Sequence, residues 1–294
     1  LMLFSYNICV EGMWQAVKDA AHRWAEPGRF LTIVGVESAT VPDGSHRNAY
    51  YFAPADVPPI FCEDRPPARQ AKFTRRFSPD TVYCDTLEEY HNTVRRYGGL
   101  VTGHFHTLQY QQEIVAEIWQ KQAGSKDEEG RIFDLLNRGL RLGIVAGSDT
   151  HDSMPGNPAP EMHCPQPAGL MAVPGENPTA QTLRHALLNR RVYGTTGARI
   201  GLDFSSSRAP MGSVLTGDLP RSFQIRVDGT GRIEKVELVC CGQVVRQLQP
   251  KAQSMQAEVS GLVAGPTQDQ WYLIRVTQEN GHRAWSSPIW FTRI

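Results

Sequence analysis

The stretch Ile144-Val145-Ala146-Gly147-Ser148-Asp149-Thr150-His151-Asp152 places an acid and an imidazole two residues apart at the end of an apolar run. Successive side chains of an extended strand point to opposite faces, so Asp149 and His151 share one face. A carboxylate oxygen and an imidazole nitrogen aimed at one point are donors for Zn²⁺, Mn²⁺ or Fe²⁺. The plainer alternative is a loop aspartate that caps a following turn beside a solvated histidine, and short motifs of this kind also arise by chance. Three further strand ends carry donor types. The run 30–36 leads into Glu37, His46 sits between a turn and the short aromatic strand 49–52, and Leu100-Val101-Thr102 delivers His104 and His106. Taken singly, Glu37 reads equally as an exposed strand end and His46 as a surface residue. Four such ends in one chain form a pattern that chance produces far less often.

The elements that must position these donors follow from periodicity. Residues 13–25, 86–97, 111–122, 130–140 and 179–189 carry the spacing of helices, and 30–36, 100–102, 142–146 and 169–173 read as strands. Strands and helices alternate as far as residue 200, which predicts an α/β domain with a largely parallel sheet. Beyond it, 223–227, 233–240, 243–248, 255–259 and 271–276 are short strand-like runs separated by turn residues. They predict a small all-β, immunoglobulin-like sandwich. The boundary is placed in the serine-rich stretch near residue 205, giving domains 1–204 and 205–294. In (β/α) barrels functional groups gather at the carboxyl ends of the strands, so donors distant in sequence can meet.

Composition narrows the function classes. The 294 residues hold 30 Lys plus Arg against 30 Asp plus Glu. That balance gives no excess field to draw nucleic acid or anionic lipid. No apolar run approaches the roughly 20 residues that span a bilayer. The six cysteines show no C-x-x-C pair and no small-domain disulfide framework. Reduced thiols, and with them a cytoplasmic setting, are the expectation. Cys240 and Cys241 fall on a sandwich strand, where alternation points one inward and the other outward. Residues 1–10 lack the basic start and cleavage site of a signal peptide, and the chain reads as one that begins in mid-fold.

His46-Arg47-Asn48 and Gly147-Ser148-Asp149-Thr150-His151 together resemble the PHP superfamily, the polymerase and histidinol phosphatase domain of metal-dependent phosphoesterases. The resemblance is to a bacterial group that carries H-R-N and G-S-D-T-H motifs. It extends over residues 190–200 and over Trp285-Ser286-Ser287-Pro288-Ile289-Trp290. It implies a distorted barrel of seven strands that binds two or three metals. Glu37 would then be a bridging carboxylate, His46 and His104 further ligands, and Asp149 with His151 would close the site. His106 has no counterpart in that family and is read as a supporting or alternative ligand. The family's H-x-H motif on the first strand, and the Asp-His motif after it, do not occur here. The expected fold is therefore an incomplete (β/α)7 barrel, truncated at its amino end, holding one or two ions. Its open edge would be closed by residues 1–10 or by another chain, hence self-association.

The reaction implied is hydrolysis of an ester, a phosphate ester first, by metal-activated water, with His46, Asp149 and His151 as the catalytic residues. Arg47 and Arg199 are candidates for gripping a small anionic substrate, since a guanidinium pairs two oxygens at once; the plainer role for each is a structural ion pair. Neither nucleic acid nor membrane is an expected partner. The alternative is a degenerate relative that binds a metal or ligand without turnover. A third class is an interaction module in which Trp271, Trp285 and Trp290 form an exposed carbohydrate-binding row, which burial of the three would exclude.

Overall fold

A computed structural model describes residues 2–4, 12–38, 45–53, 56–62, 80–104, 111–121, 128–150, 166–175, 178–207, 209–217, 220–262 and 269–292. The chain divides into two compact units, residues 1–113 with 175–185, and residues 114–174 with 186–294.

The first unit runs through β1 (Met2–Phe4), α1 (Met13–Trp24), β2 (Val34–Ser38), β3 (Arg47–Tyr51), β4 (Ile60–Cys62), β5 (Val82–Cys84), α2 (Leu87–Arg96) and β6 (Leu100–Gly103). Its main sheet has the order β1-β2-β3-β6. β1 and β2 are parallel, with α1 as the crossover, whereas β2–β3 and β3–β6 are antiparallel. The connection from Ser38 to Arg47 is shorter than the dozen or so residues a parallel crossover needs, so β3 must turn back. One face of this sheet presents Val34, Val36, Ala49, Tyr51 and Val101, all buried. Trp14, Val17 and Ala21 of α1 and Tyr90 and Val94 of α2 pack with them in one cluster. Each valine in the cluster contributes about 1.5–3 kcal/mol when fully buried. The start of α2 is fixed by two local bonds: Thr86 Oγ1 accepts from the Glu89 amide at 3.1 Å, and Glu89 accepts from the Asp85 amide at 3.0 Å. Its end needs glycine. Gly98 has φ 72, and a Cβ on Gly99 would stand 2.6 Å from Val94 and 2.9 Å from the Tyr50 carbonyl.

The second unit contains β7 (Val115–Trp119), α3 (Glu128–Asn137), β8 (Gly143–Ala146) and β9 (Leu170–Ala172). The division between units falls within α4 (Ala180–Leu188). There follow β10 (Tyr193–Thr195), β11 (Gly201–Ser206), β12 (Ala209–Pro210), β13 (Val214–Thr216), β14 (Arg221–Asp228), β15 (Ile233–Cys240) and β16 (Gln243–Leu248). The unit ends with β17 (Ser254–Leu262), β18 (Gln270–Gln278), β19 (Arg283–Ser286) and β20 (Ile289–Thr292). One sheet has the order β12-β11-β14-β17; the other runs β13-β20-β18-β19-β10-β9, with β15 and β16 added beside β18. Phe204, Phe223 and Ile225 of the first sheet and Leu238, Tyr272 and Ile274 of the second form the core between them. The sandwich expected after residue 205 is thus present, and β9 and β10 extend one of its sheets.

The outer face of that second sheet is covered as well. Trp271, Leu273, Trp285 and Trp290 pack against Ile132, Phe133 and Leu136 of α3 and Ile144 of β8. β18 is therefore buried on both faces, and its outer face is part of a second core. Arg275 on that face is neutralised by Glu129 and by Glu237, whose Oε2 accepts from its Nε at 2.8 Å. The three tryptophans are 1–4% exposed. Burial removes the exposed carbohydrate-binding row.

The (β/α)7 barrel expected for residues 1–204 does not form. Among the described residues 44% are strand and 19% helix, the latter in four short helices, and the sheets stay open. A barrel of that kind needs parallel neighbours with a helix after each strand. Here the parallel pairs before residue 200 are β1–β2, β4–β5 and β7–β8, and antiparallel pairs interrupt them. With no barrel among the described residues, an open barrel edge no longer supplies a reason for self-association. Residues 111–122, expected as a helix, instead contain β7. Its Val115, Ala116 and Ile118 are all buried, and a strand buried on both faces shows no period-two alternation to distinguish it. No described helix is long and apolar enough to cross a membrane.

Candidate metal centre

Glu37 pairs with Asn48 across β2 and β3, and Asn48 pairs with Thr102 across β3 and β6. Directly opposed residues of an antiparallel ladder share a face. His46 lies two residues before Asn48 and His104 two residues after Thr102, so period-two alternation returns both to that same face. The ladder continues to this level, since the His104 amide donates to the His46 carbonyl at 3.3 Å. Three donors from three adjacent strands thus converge opposite the apolar core face, with one ligand atom from each lying within 4.8 Å of the others.

The bonds inside this group are specific. His46 Nδ1 donates to Glu37 Oε1 at 2.8 Å, because a carboxylate can only accept. The rings of His46 and His104 are stacked at 5.9 Å with an 11° angle between their planes. Asn48 Nδ2 lies 3.3 Å from His104 Nδ1. An amide donates at one end and accepts at the other, so Asn48 can hold the His104 ring in either tautomer. Glu37 is 18% and His46 44% exposed at the side chain, which leaves one side open to solvent.

These donors fit a divalent transition-metal ion. Three ligand atoms bonded at about 2.0–2.2 Å to one tetrahedral ion stand about 3.3–3.6 Å apart, so side chains already within 4.8 Å reach that geometry by shifts of about 1 Å or less. Two imidazoles and one carboxylate, with an open position, make up a donor set used by catalytic zinc and by non-haem iron. The glutamate and asparagine on the ring nitrogens are of the type that orients ligating histidines.

The remaining expected residues are distributed as follows. Arg47 alternates to the opposite face, where its guanidinium is wholly buried. Its Nε meets Glu113 Oε1 at 2.5 Å, and its Nη1 donates to the His46 carbonyl at 3.0 Å. His91 Nε2 stands 3.7 Å from the same Glu113 oxygen. Arg47 is therefore part of a buried ion pair behind the centre, the plainer of the two roles expected for it. Asp149 belongs to the second unit, at φ 48 just beyond β8, where Gln120 Nε2 donates to its Oδ2 at 3.1 Å. Arg199, also in the second unit, is exposed. His151, His106, and the loop pair His163 and Cys164 lie outside the described residues. Sequence reasoning missed Asn48 as a partner of His104, although it stands in the H-R-N motif on the donor face. It also missed Glu113, for which no local pattern gives a signal.

No protein-family profile matches the chain. A protein of Chlamydia muridarum is 34% identical over 182 residues, covering 56% of this chain and 29% of that protein. One from Chlamydia pneumoniae is 33% identical over 190 residues, and one from Chlamydia trachomatis serovar D 31% identical over 182, with the same coverage. All three are described as uncharacterized, and the chain matches them over less than a third of their length. Among solved structures, fibronectin(III)-like modules of Clostridium thermocellum CbhA align at 15% identity and a TM-score of 0.24, over 31% of this chain and 96% of theirs. A Jonesia denitrificans lytic polysaccharide monooxygenase aligns at 14% identity and a TM-score of 0.21, over 30% of this chain and 60% of its own.

Proposed function

We propose that the first unit binds a divalent ion, zinc, manganese or iron, through Glu37, His46 and His104, and that it hydrolyses an ester with it. A phosphate ester is the substrate class that the H-R-N and G-S-D-T-H motifs favour. The observation that carries this reading is the convergence of three donors on one sheet face within 4.8 Å. When bound, such an ion lowers the pKa of a coordinated water toward about 7 and offsets charge on the ester oxygens. The chain's own groups supply the rest. Glu37 accepts the Nδ1 proton of His46 and so fixes the orientation of that ring. Asn48 does the same for His104. The exposed side of His46 admits water and substrate, while the apolar layer of α1 and α2 behind the sheet keeps the three strands rigid.

The test is reconstitution of the purified chain with each of the three ions, followed by a panel of phosphate, sulfate and carboxylate esters. The expected result is metal-dependent turnover that His104→Ala abolishes while the circular dichroism spectrum is unchanged. Stoichiometric binding with no turnover on any ester would leave a metal-binding protein and remove the hydrolase. Failure to bind any of the ions would remove both.

A further inference from the structure

β15 and β16 are joined by the two-residue turn Cys241-Gly242, in which both residues take left-handed angles, φ 49 and φ 86. Positive angles at both central positions define the type I′ hairpin turn, which favours Asn, Asp or Gly first because a larger side chain is strained there by about 1–2 kcal/mol. A cysteine occupies that position here. The angle has a consequence for its neighbour. Along a regular strand Cys240 and Cys241 would point to opposite faces; the left-handed turn swings Cys241 back until its Sγ lies 3.8 Å from that of Cys240. Cys240 is 9% exposed, and Gln270 Nε2 stands 3.9 Å from its sulfur. Cys241 is only half-buried, at the tip of the hairpin.

We propose that Cys240 and Cys241 are a peroxide-oxidised thiol pair, with Cys241 the attacking thiol and Cys240 the resolving one, which closes reversibly to a vicinal disulfide. The hydrogen bond from Cys240 supports these roles, since it pulls the Cys241 thiol down to about 6 against the opposing effect of burial, with a backbone bond to Trp271 helping. The same bond, with burial, pushes the Cys240 thiol up. In the first step the Cys241 thiolate attacks one oxygen of hydrogen peroxide. An S–O bond forms, the O–O bond breaks, and the leaving hydroxide takes a proton to become water. In the second step the Cys240 sulfur attacks Cys241 Sγ and releases its proton. The S–S bond forms, the S–O bond breaks, and a second water leaves. Two thiols lose two electrons and one peroxide gains them.

The ring so formed is strained. Consecutive Cα atoms across a trans peptide are about 3.8 Å apart, below the roughly 4.4 Å at which ordinary disulfides begin. Strain makes the bond easy to reduce, as suits a reversible modification rather than a structural staple. Cys62 and Cys84 offer the contrast. Both are fully buried, and burial pushes the Cys84 thiol up, so both are expected to be inert.

The experiment treats the whole chain with hydrogen peroxide, alkylates it under denaturing conditions, and maps the peptides by mass spectrometry. The expected result is that the Cys240–Cys241 peptide loses two hydrogens and both alkyl groups, and that dithiothreitol restores them. In Cys240→Ser, Cys241 should be trapped as a dimedone adduct, whereas in Cys241→Ser the peptide should stay reduced. Without peroxide, alkylation of Cys241 should rise with a midpoint near pH 6. The proposal is overturned if both cysteines stay alkylatable while others in the chain oxidise, or if Cys240 and Cys241 bond to different partners.

Discussion

Removing one member of the pair behind the candidate centre should cost more than any surface substitution. Arg47 and Glu113 are both wholly buried, with Nε and Oε1 2.5 Å apart. Arg47→Met or Glu113→Gln removes the 2.5 Å ion-pair partner of a buried charge in the first unit, at a cost of about 3–5 kcal/mol. With a urea dependence of about 2 kcal/mol per molar, such a loss lowers the unfolding midpoint by about 2 M. The double variant Arg47→Met/Glu113→Leu removes both charges and should recover most of the loss, because apolar replacements of similar volume are often neutral. Hydrogen exchange read on peptides from β2, β3 and β6 reports this unit separately from the second. Arg47 Nη1 also holds the His46 carbonyl, so the single variants should weaken metal binding as well. Single variants within about 1 kcal/mol of wild type, the range of exposed pairs, with no coupling in the double, would refute the reasoning.

Three further predictions concern separate sites. Asn48→Ala removes the amide that steadies His104 and should weaken metal binding about 10–100-fold by titration; unchanged affinity would count against its role. Gly212 has φ 88, and an added Cβ would collide with the Asn189 carbonyl and the Arg190 backbone, whereas Gly217, at φ 101, has open space. Gly212→Ala should therefore destabilise the second unit by more than 3 kcal/mol, and Gly217→Ala by about 1–2, in thermal melts; equal effects would contradict the packing. Burial pushes the Glu237 carboxyl up, but hydrogen bonding and charge from Arg275, with Lys235 adding to them, outweigh burial and hold it below its usual range. A depressed carboxyl contributes stability that is present above its unfolded value of about 4.3 and is lost as pH falls through the folded one. Glu237→Gln should lower the melting temperature at neutral pH and flatten its fall below about pH 4. A parallel acid profile would show that the pair contributes nothing.

What the residues disclosed depended on how many faces of each element are buried. β14 alternates buried and open positions along its length, and 223–227 was recognisable as a strand on that period alone. α2 shows its cap, its charged first turn and its glycine stop in the sequence, and the expected range 86–97 brackets it. β7 gave no such sign, because both of its faces are covered, and it was taken for a helix. The barrel was inferred from strand-helix alternation and from a family resemblance, but alternation does not specify parallel pairing. The short connection before Arg47, which forces an antiparallel strand, was legible and outweighs it. At the site, Glu37, His46 and His104 were recognisable as donor types at strand ends, and the sheet register brings them together. Arg47 was legible only as a candidate for gripping substrate or for a structural ion pair, because nothing in H-R-N announces Glu113, a partner distant in sequence. Likewise, the meeting of Cys240 and Cys241 depends on a left-handed angle that strand periodicity does not encode.

The central claim is that Glu37, His46 and His104 hold one ion. Metal content per chain, measured by inductively coupled plasma mass spectrometry after purification without chelator and incubation with zinc, manganese or iron, tests it most directly. About one equivalent is expected in the wild-type chain and in His22→Ala, which alters an exposed histidine of α1. Glu37→Ala, His46→Ala and His104→Ala should each lose it while the helix and strand content is retained. An ion retained at full occupancy in all three variants, or none bound by the wild-type chain, would contradict the assignment.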